Sequence, residues 1–323
     1  MFSSGEKILM ALATAEFILG ILVNGFIVLV NCIDWVKTKK LPPSDLILVS
    51  LAISRTGLSS TIIWNIYLID DSINVANSIR IIDIFLVLAH TSNIWFATIL
   101  NIFYFLKITN FSNPLFLWMK WRIDRMVFMI LWGPLLISLS IGFPMIERMY
   151  YYFSRGMQRN VSQDVPESKS MFLMVQVLFG LLTLIPLTLS AISFSLFILS
   201  LGSHTRQMHL NARNTSTEAH VRAMKAMSSF FILFSLYYVA FYVNYVTGET
   251  NKLVSMLSMS IMLLYPFGHS VILILWNSKL RKAALRVSEL IKCCQRGSHL
   301  QTLWVPLRVI WNFLEGKNLC ESP

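Results

Sequence analysis

The sequence predicts an all-α integral membrane protein: a seven-transmembrane helix bundle with the N-terminus outside and the C-terminus inside. Three observations predict it. Hydrophobic residues make up 55% of the 323-residue chain, charged residues only 13%, and the mean hydropathy is +0.63, where a soluble domain carries roughly twice that share of charge. Seven apolar runs each exceed the ~20 residues that a helix needs to cross ~30 Å of hydrocarbon. Lysine and arginine are distributed very unequally between the two sets of connections.

The spans lie at about 8–33, 44–69, 81–106, 126–146, 171–201, 224–246 and 253–276. The runs are continuously apolar rather than alternating, which favours helices over a barrel. The first run is too long for a signal-peptide core and lacks a small-residue cleavage site, so it reads as a span that stays. The fifth is long enough to project beyond the membrane. A short membrane-lying helix follows at 277–294, closing a seven-transmembrane domain of 1–296, and 297–323 form a cytoplasmic tail.

Orientation follows from the positive-inside rule. Nineteen of the 27 Lys and Arg residues fall in one set of connections, seven in the other, and Arg55 lies within a span. The richer set, including the tail, is cytoplasmic. The net charge of +11 therefore reports topology rather than nucleic-acid binding, which needs a basic patch on a soluble fold. The sequon at Asn160 falls in the longest outer loop and is the glycosylation candidate. Those at Asn110 and Asn214 face the cytoplasm. Of the four cysteines none lies outside, so no outer disulfide is expected. Cys293 and Cys294 follow a basic amphipathic segment and are candidate palmitoylation sites, or unmodified thiols.

Enzyme motifs are missing. There is no Gly-rich phosphate loop, nucleophile elbow or metal-binding Cys/His spacing, so neither catalysis nor a metal or other cofactor is expected. The informative residues are polar groups inside spans, where each is costly. Arg55 lies about 11 residues, or ~16 Å, from the inner end of its span. Asn24 lies at a similar depth and Ser270 somewhat shallower, so the three are read as a structural cluster tying spans one, two and seven. The competing reading is an arginine snorkelling inward.

Asp83 and His90 stand seven apart on one face of span three, with Leu86 between them. They line a ligand vestibule, or else mark the interface and a packed histidine. Tyr237 and Phe241 share a face of span six and are candidate pocket walls, or packing residues. Lys107, His204, Met208, His220 and Lys225 form a basic inner rim, read either as topology alone or as a docking surface that opens when the helices shift.

Several long motifs resemble the type 2 taste receptors, the bitter taste receptor family of G-protein-coupled receptors. They are "LAISR", "IWFATILNIFYFLKITNFS", "PLFLWMKWRID", "SLGSHTRQMHL", "TEAHVRAMKAMSSF" and "YPFGHSVILILWNSKLRKAA", in order between Glu16 and Cys294. The resemblance implies a plasma-membrane receptor that binds small-molecule bitter agonists in an outer pocket. It further implies activation of a heterotrimeric G protein of the gustducin or inhibitory class. The pocket Trp and Asn common in that family are replaced by Leu86 and His90, and a common Glu before the span-seven proline by Met259, which implies an altered agonist spectrum. A vomeronasal-type receptor shares the architecture but should lack "HVRAMK" and "HSVILIL". A transporter or channel should show facing ionisable groups along a route.

Overall fold

The computed structural model describes residues 3–68, 76–109, 114–137, 139–140, 177, 180, 183–200, 215–247 and 251–297, with backbone only at 68, 76–83, 115, 137, 215–223, 245–247 and 290–297. The described residues build helices α1 (Ser4–Thr38), α2 (Pro43–Leu68), α3 (Ala76–Ile108), α4 (Pro114–Ile137), α5 (Thr183–Ser200), α6 (Thr215–Thr247), α7 (Lys252–Trp276) and α8 (Ser278–Gly297). All of these except α4 and α8 are long and apolar enough to cross a membrane.

Helix ends follow local chemistry. Ser3 caps α1 through a reciprocal box: its hydroxyl accepts from Glu6 N at 3.3 Å, and its own N–H donates to the Glu6 carboxylate at 2.8 Å. Lys39 ends the helix in the left-handed region at φ 54°, its N–H reaching Trp35 O. Pro42 and Pro43 then forbid continuation, and Pro43 opens α2 where a missing N–H costs nothing. At 35 residues, α1 spans about 52 Å, so it projects beyond the hydrocarbon. Asn251 caps α7 by accepting from Val254 N. Asn277 breaks α7 from α8 and caps the latter, its side-chain oxygen accepting from Lys279 N and Leu280 N at 3.0 and 3.1 Å.

Helix α4 begins at Pro114, twelve residues before the apolar run that hydropathy delimits at 126. The charges of Lys120, Arg122, Asp124 and Arg125 depress the local hydropathy without interrupting the helix. Phe116, Ile123, Val127 and Leu131 keep one buried face through it. Trp118 and Trp121 remain exposed, as suits an aromatic belt at the membrane interface. The rest of the fourth run, beyond residue 140, lies outside the described residues.

The bundle is apolar outside, and its buried interior combines an apolar core with inward-turned polar side chains. Large side chains such as Leu22, Ile53, Trp64, Trp132, Leu199 and Val239 are exposed, which in lipid is no cost. Polar residues turn inward instead, among them Asn24, Arg55, His90, Asn93, Asn101 and His269. Helix α7 packs on α1, α2 and α6 and leads into α8, while α3 packs on α2, α4 and α6. Hydrogen bonds pin α5 to α3: Thr98 donates to Pro186 O at 3.0 Å and Asn101 to the Ser190 hydroxyl at 2.5 Å. A groove of about 570 Å³ lies among α2, α3 and α4. Trp64 and Phe85 on its wall are more than half exposed, so it faces lipid rather than the bundle interior.

Candidate functional site

Two polar assemblies lie inside the bundle, joined by aromatic rings. The deeper one centres on Arg55 of α2, which has no accessible surface. Its Nη1 donates to Ser270 Oγ at 2.8 Å, and Ser270 Oγ donates to Asn24 Oδ1 at 2.7 Å. Asn24 Nδ2 donates back to Gly20 O at 2.9 Å. The structure thus brings Asn24, Arg55 and Ser270 into one hydrogen-bonded line across α1, α2 and α7. Hydropathy counting misses two further partners. Arg55 Nη2 meets His269 Nδ1, and the guanidinium carbon lies 5.8 Å from the centroid of the Tyr265 ring. Tyr265 and His269 stand one helical turn apart on α7, His269 next to Ser270, but nothing in the hydropathy pattern singles them out.

The second assembly centres on His90 of α3, which is 1% exposed. Its Nδ1 lies 2.7 Å from the Tyr237 hydroxyl of α6, and its Nε2 lies 3.3 Å from Thr183 Oγ1 of α5. The imidazole also stacks on the Tyr237 and Phe241 rings, with centroids 5.4 and 5.9 Å away. One side chain therefore holds α3, α5 and α6 together. Leu86 and Met259 are partly buried against the same core. Asp83 lies on α3, and its side chain is outside the described residues.

Ring contacts connect the two assemblies. Tyr237 lies 5.5 Å from Tyr265, and Tyr265 lies 6.3 Å from His269. Phe234 touches both tyrosines, at 6.0 and 5.8 Å, and Phe230 bridges Phe234 to His269 at 5.6 and 5.8 Å. Aromatic pairs at such separations pack with defined geometry, so a shift of Tyr237 has few neighbours that can yield independently.

At the inner face the basic residues are engaged. Lys107 pairs with Asp124 of α4 at 2.6 Å and lies over Phe103. Lys120 donates to Thr109 O at 2.8 Å, closing α4 onto the end of α3. Lys225 lies over the Trp276 ring at 5.6 Å, tying α6 to the end of α7. Lys279 of α8 reaches three side chains: Asp34 and Asp45 at 2.6 Å each, and Asn31 at 3.0 Å. Burial disfavours its charge, but these two carboxylates outweigh that and hold its pKa above the usual lysine value. Hydropathy and charge counting register Lys279 only as one more inner charge. His204, Met208 and Asn160 lie outside the described residues, as do the side chains of His220, Cys293 and Cys294.

A family model described as "Taste receptor protein (TAS2R)" matches residues 1–292. Taste receptor type 2 member 7 of Macaca mulatta is 44% identical over 309 residues, covering 92% of this chain and 97% of that protein. Taste receptor type 2 member 8 of Pongo pygmaeus is 42% identical over 304 residues, covering 90% and 98%. The member 7 protein of Rattus norvegicus is 41% identical, covering 90% and 97%.

Proposed function

The chain belongs to the type 2 taste receptor family, the bitter taste receptors, and on that premise we propose where it binds agonist and how it signals. It is a multi-pass membrane receptor and not an enzyme. Small-molecule agonists enter the outer half of the bundle and contact the His90, Tyr237 and Phe241 group, with Leu86 and Met259 as further walls and Asp83 nearer the mouth. The signal passes to a heterotrimeric G protein of the gustducin or inhibitory class at the inner ends of α3, α4 and α6.

The observation that carries this reading is the unbroken run of ring contacts from His90 through Tyr237 and Tyr265 to His269 and Arg55. An agonist that displaces Tyr237 from His90 changes the packing of α6 against α7. Those two helices also meet at the inner face through Lys225 and Trp276. Differential affinity for two such packings is what agonism requires thermodynamically. The inner rim carries Lys107, Arg122 and Arg125, and its ion pair between Lys107 and Asp124 is partly exposed, so a docking partner can compete for it.

A calcium-release assay in cells supplied with a gustducin-type G protein tests the proposal. A panel of bitter compounds should yield agonists whose potency falls about tenfold or more in His90→Ala, as expected for losing one buried hydrogen-bonding partner of 1–3 kcal/mol. Unchanged potency for every agonist, at equal surface expression, would place the pocket elsewhere.

A further inference from the structure

The outward side of α4 changes character along its length. Leu117, Trp118, Trp121, Arg122 and Arg125 line a groove of about 400 Å³ near the start of the helix. Phe128, Met129 and Trp132 continue the same side, and each is more than half exposed. The other side carries Phe116, Ile123, Val127 and Leu131, which are buried in the core. Residues three, four and seven apart share a helix face, so the groove opens on lipid and not on the bundle interior. The positive-inside topology places it at the inner leaflet.

The two arginines of the groove are uncommitted. Asp124, the carboxylate between them in sequence, is held by Lys107 at 2.6 Å. Lys120 turns the other way and donates to Thr109 O. Among the described residues Arg122 and Arg125 pair with no carboxylate. The guanidinium carbon of Arg122 lies 5.1 Å from the centroid of the Trp118 ring. Stacking of this kind orients the guanidinium plane and leaves its N–H edge free to donate. Arg122 and Arg125 stand one turn apart, so both can reach a single anionic group.

We propose that this groove binds the head of an inner-leaflet phospholipid that carries phosphomonoesters on a cyclitol ring, a phosphorylated phosphatidylinositol. A phosphomonoester bears close to two negative charges at neutral pH, which match two guanidinium groups. Each guanidinium can hold phosphate oxygens through paired N–H bonds. The groove has room for about a dozen waters at ~30 Å³ each, far more than one phosphate fills. Trp121, 81% exposed, offers the C–H face of the ring a surface to pack on. The acyl chains then follow Phe128, Met129 and Trp132, about 10 Å along the helix from Arg125. A soluble phosphate or an acidic protein segment would use the arginines but not this apolar continuation, and the continuation is what selects a lipid. Basic pockets at the cytoplasmic side of a membrane protein suit such heads on electrostatic grounds.

The test uses the full-length receptor purified in detergent, with bound lipid followed by native mass spectrometry across a titration. Phosphatidylinositol bisphosphate should bind more tightly than phosphatidic acid, which has the monoester without the ring, and phosphatidic acid more tightly than phosphatidylserine. Arg122→Gln with Arg125→Gln should weaken phosphatidylinositol bisphosphate about tenfold, as expected for losing two exposed ion pairs. Trp121→Ala should weaken it too, and leave phosphatidic acid unaffected. Arg281→Gln with Lys282→Gln removes the same charge from exposed positions on α8 and should leave phosphatidylinositol bisphosphate binding unaffected. All substituted side chains are exposed, so the variants should fold. Equal affinity for the three lipids, or equal losses in the α4 and α8 variants, would reduce the site to general charge attraction and overturn it. Displacement by soluble inositol trisphosphate as effective as by a short-chain form of the lipid would overturn a lipid ligand. Unchanged lipid binding in the α4 variants, with G-protein activation reduced in cells, would assign the arginines to a protein partner instead.

Discussion

His90 Nδ1 lies 2.7 Å from the Tyr237 hydroxyl, and this contact fixes the distance between α3 and α6 in the outer half of the bundle. Both residues are almost wholly buried, so neither can turn to water if the other is removed. Truncating His90 also strips Thr183 of its contact at 3.3 Å. His90→Ala should therefore lower receptor stability by about 1–3 kcal/mol, in addition to its effect on potency. Tyr237→Phe keeps the rings stacked and loses only the hydroxyl, so it should cost less. If the two act as a unit, the double variant should be little worse than His90→Ala alone. Fully additive losses in purified protein would mean that the hydrogen bond does not couple the helices.

Arg55 should tolerate neither truncation nor its nominally conservative replacement. Lysine keeps the charge but cannot reach Ser270 and His269 with separate nitrogens as the guanidinium does. Arg55→Ala should lose agonist response or raise constitutive activity, because Ser270 and His269 of α7 lose their hold on α2. Arg55→Lys should recover surface expression only in part. Normal expression with a normal dose response in both variants would make the cluster irrelevant to signalling.

Lys279 should act as the clamp of α8. The Asp45 side chain is only 8% exposed, so Lys279→Met strands a buried carboxylate, at about 1–3 kcal/mol. Asp34, at 38% exposure, should contribute much less. Asp45→Asn in the Lys279→Met background should restore part of the loss. The pH dependence has a definite sign. A lysine whose pKa is higher when folded stabilises fully below its ordinary value of 10.5 and loses that contribution as pH rises through the folded value. Thermal midpoints of wild type and Lys279→Met should hence differ by a constant amount between about pH 6 and 9. A gap that closes within that window would show that the clamp is not a charged lysine.

Legibility in the sequence follows the size of the free-energy terms. Spans are visible because every apolar residue in them contributes to transfer into hydrocarbon. Arg55 stands out because a charge there is so expensive, and depth arithmetic alone brings Asn24 and Ser270 alongside it. Tyr265, His269 and Asn93 do not stand out. Each is individually unremarkable in a span, and their meaning depends on the rotation of α3 and α7 about their axes, which hydropathy leaves free. The early start of α4 is hidden for a related reason. Its first turns balance Phe116 and Trp118 against Lys120 and Arg122, so average hydropathy is low where one face is still buried. The role of Lys279 depends on Asp34 and Asp45, more than 230 positions away, and charge counting alone cannot pair them.

Orientation has its own test. With nineteen basic residues on one side and seven on the other, Asn160 should carry a glycan and Asn110 and Asn214 should not. Enzymatic deglycosylation should shift the receptor band on a gel, and Asn160→Gln should abolish the shift. A glycan on Asn214 would invert the topology.

Agonist charge provides the last test. Asp83 lies on α3 seven residues before His90, about 10 Å along the axis, too far for direct contact but on the same face. In the binding mode proposed above, Leu86 between them takes the place of an aromatic wall, so a ligand there would meet more charge and less stacking. A carboxylate acting in a partly dry vestibule exerts a stronger field than in water and should favour ligands with a cationic or hydrogen-bond-donating group. Asp83→Asn keeps the shape and removes the charge. It should weaken cationic agonists about tenfold while leaving neutral ones within about twofold, as expected for one partly screened ion pair of order 1 kcal/mol. His90→Ala should weaken both classes, because it disturbs Tyr237 whatever the ligand carries. Paired dose-response curves at matched surface expression decide between the readings. Equal shifts for cationic and neutral agonists in Asp83→Asn, or none for either, would make Asp83 a membrane-interface residue and move the ligand site inward, towards Tyr237 and Phe241.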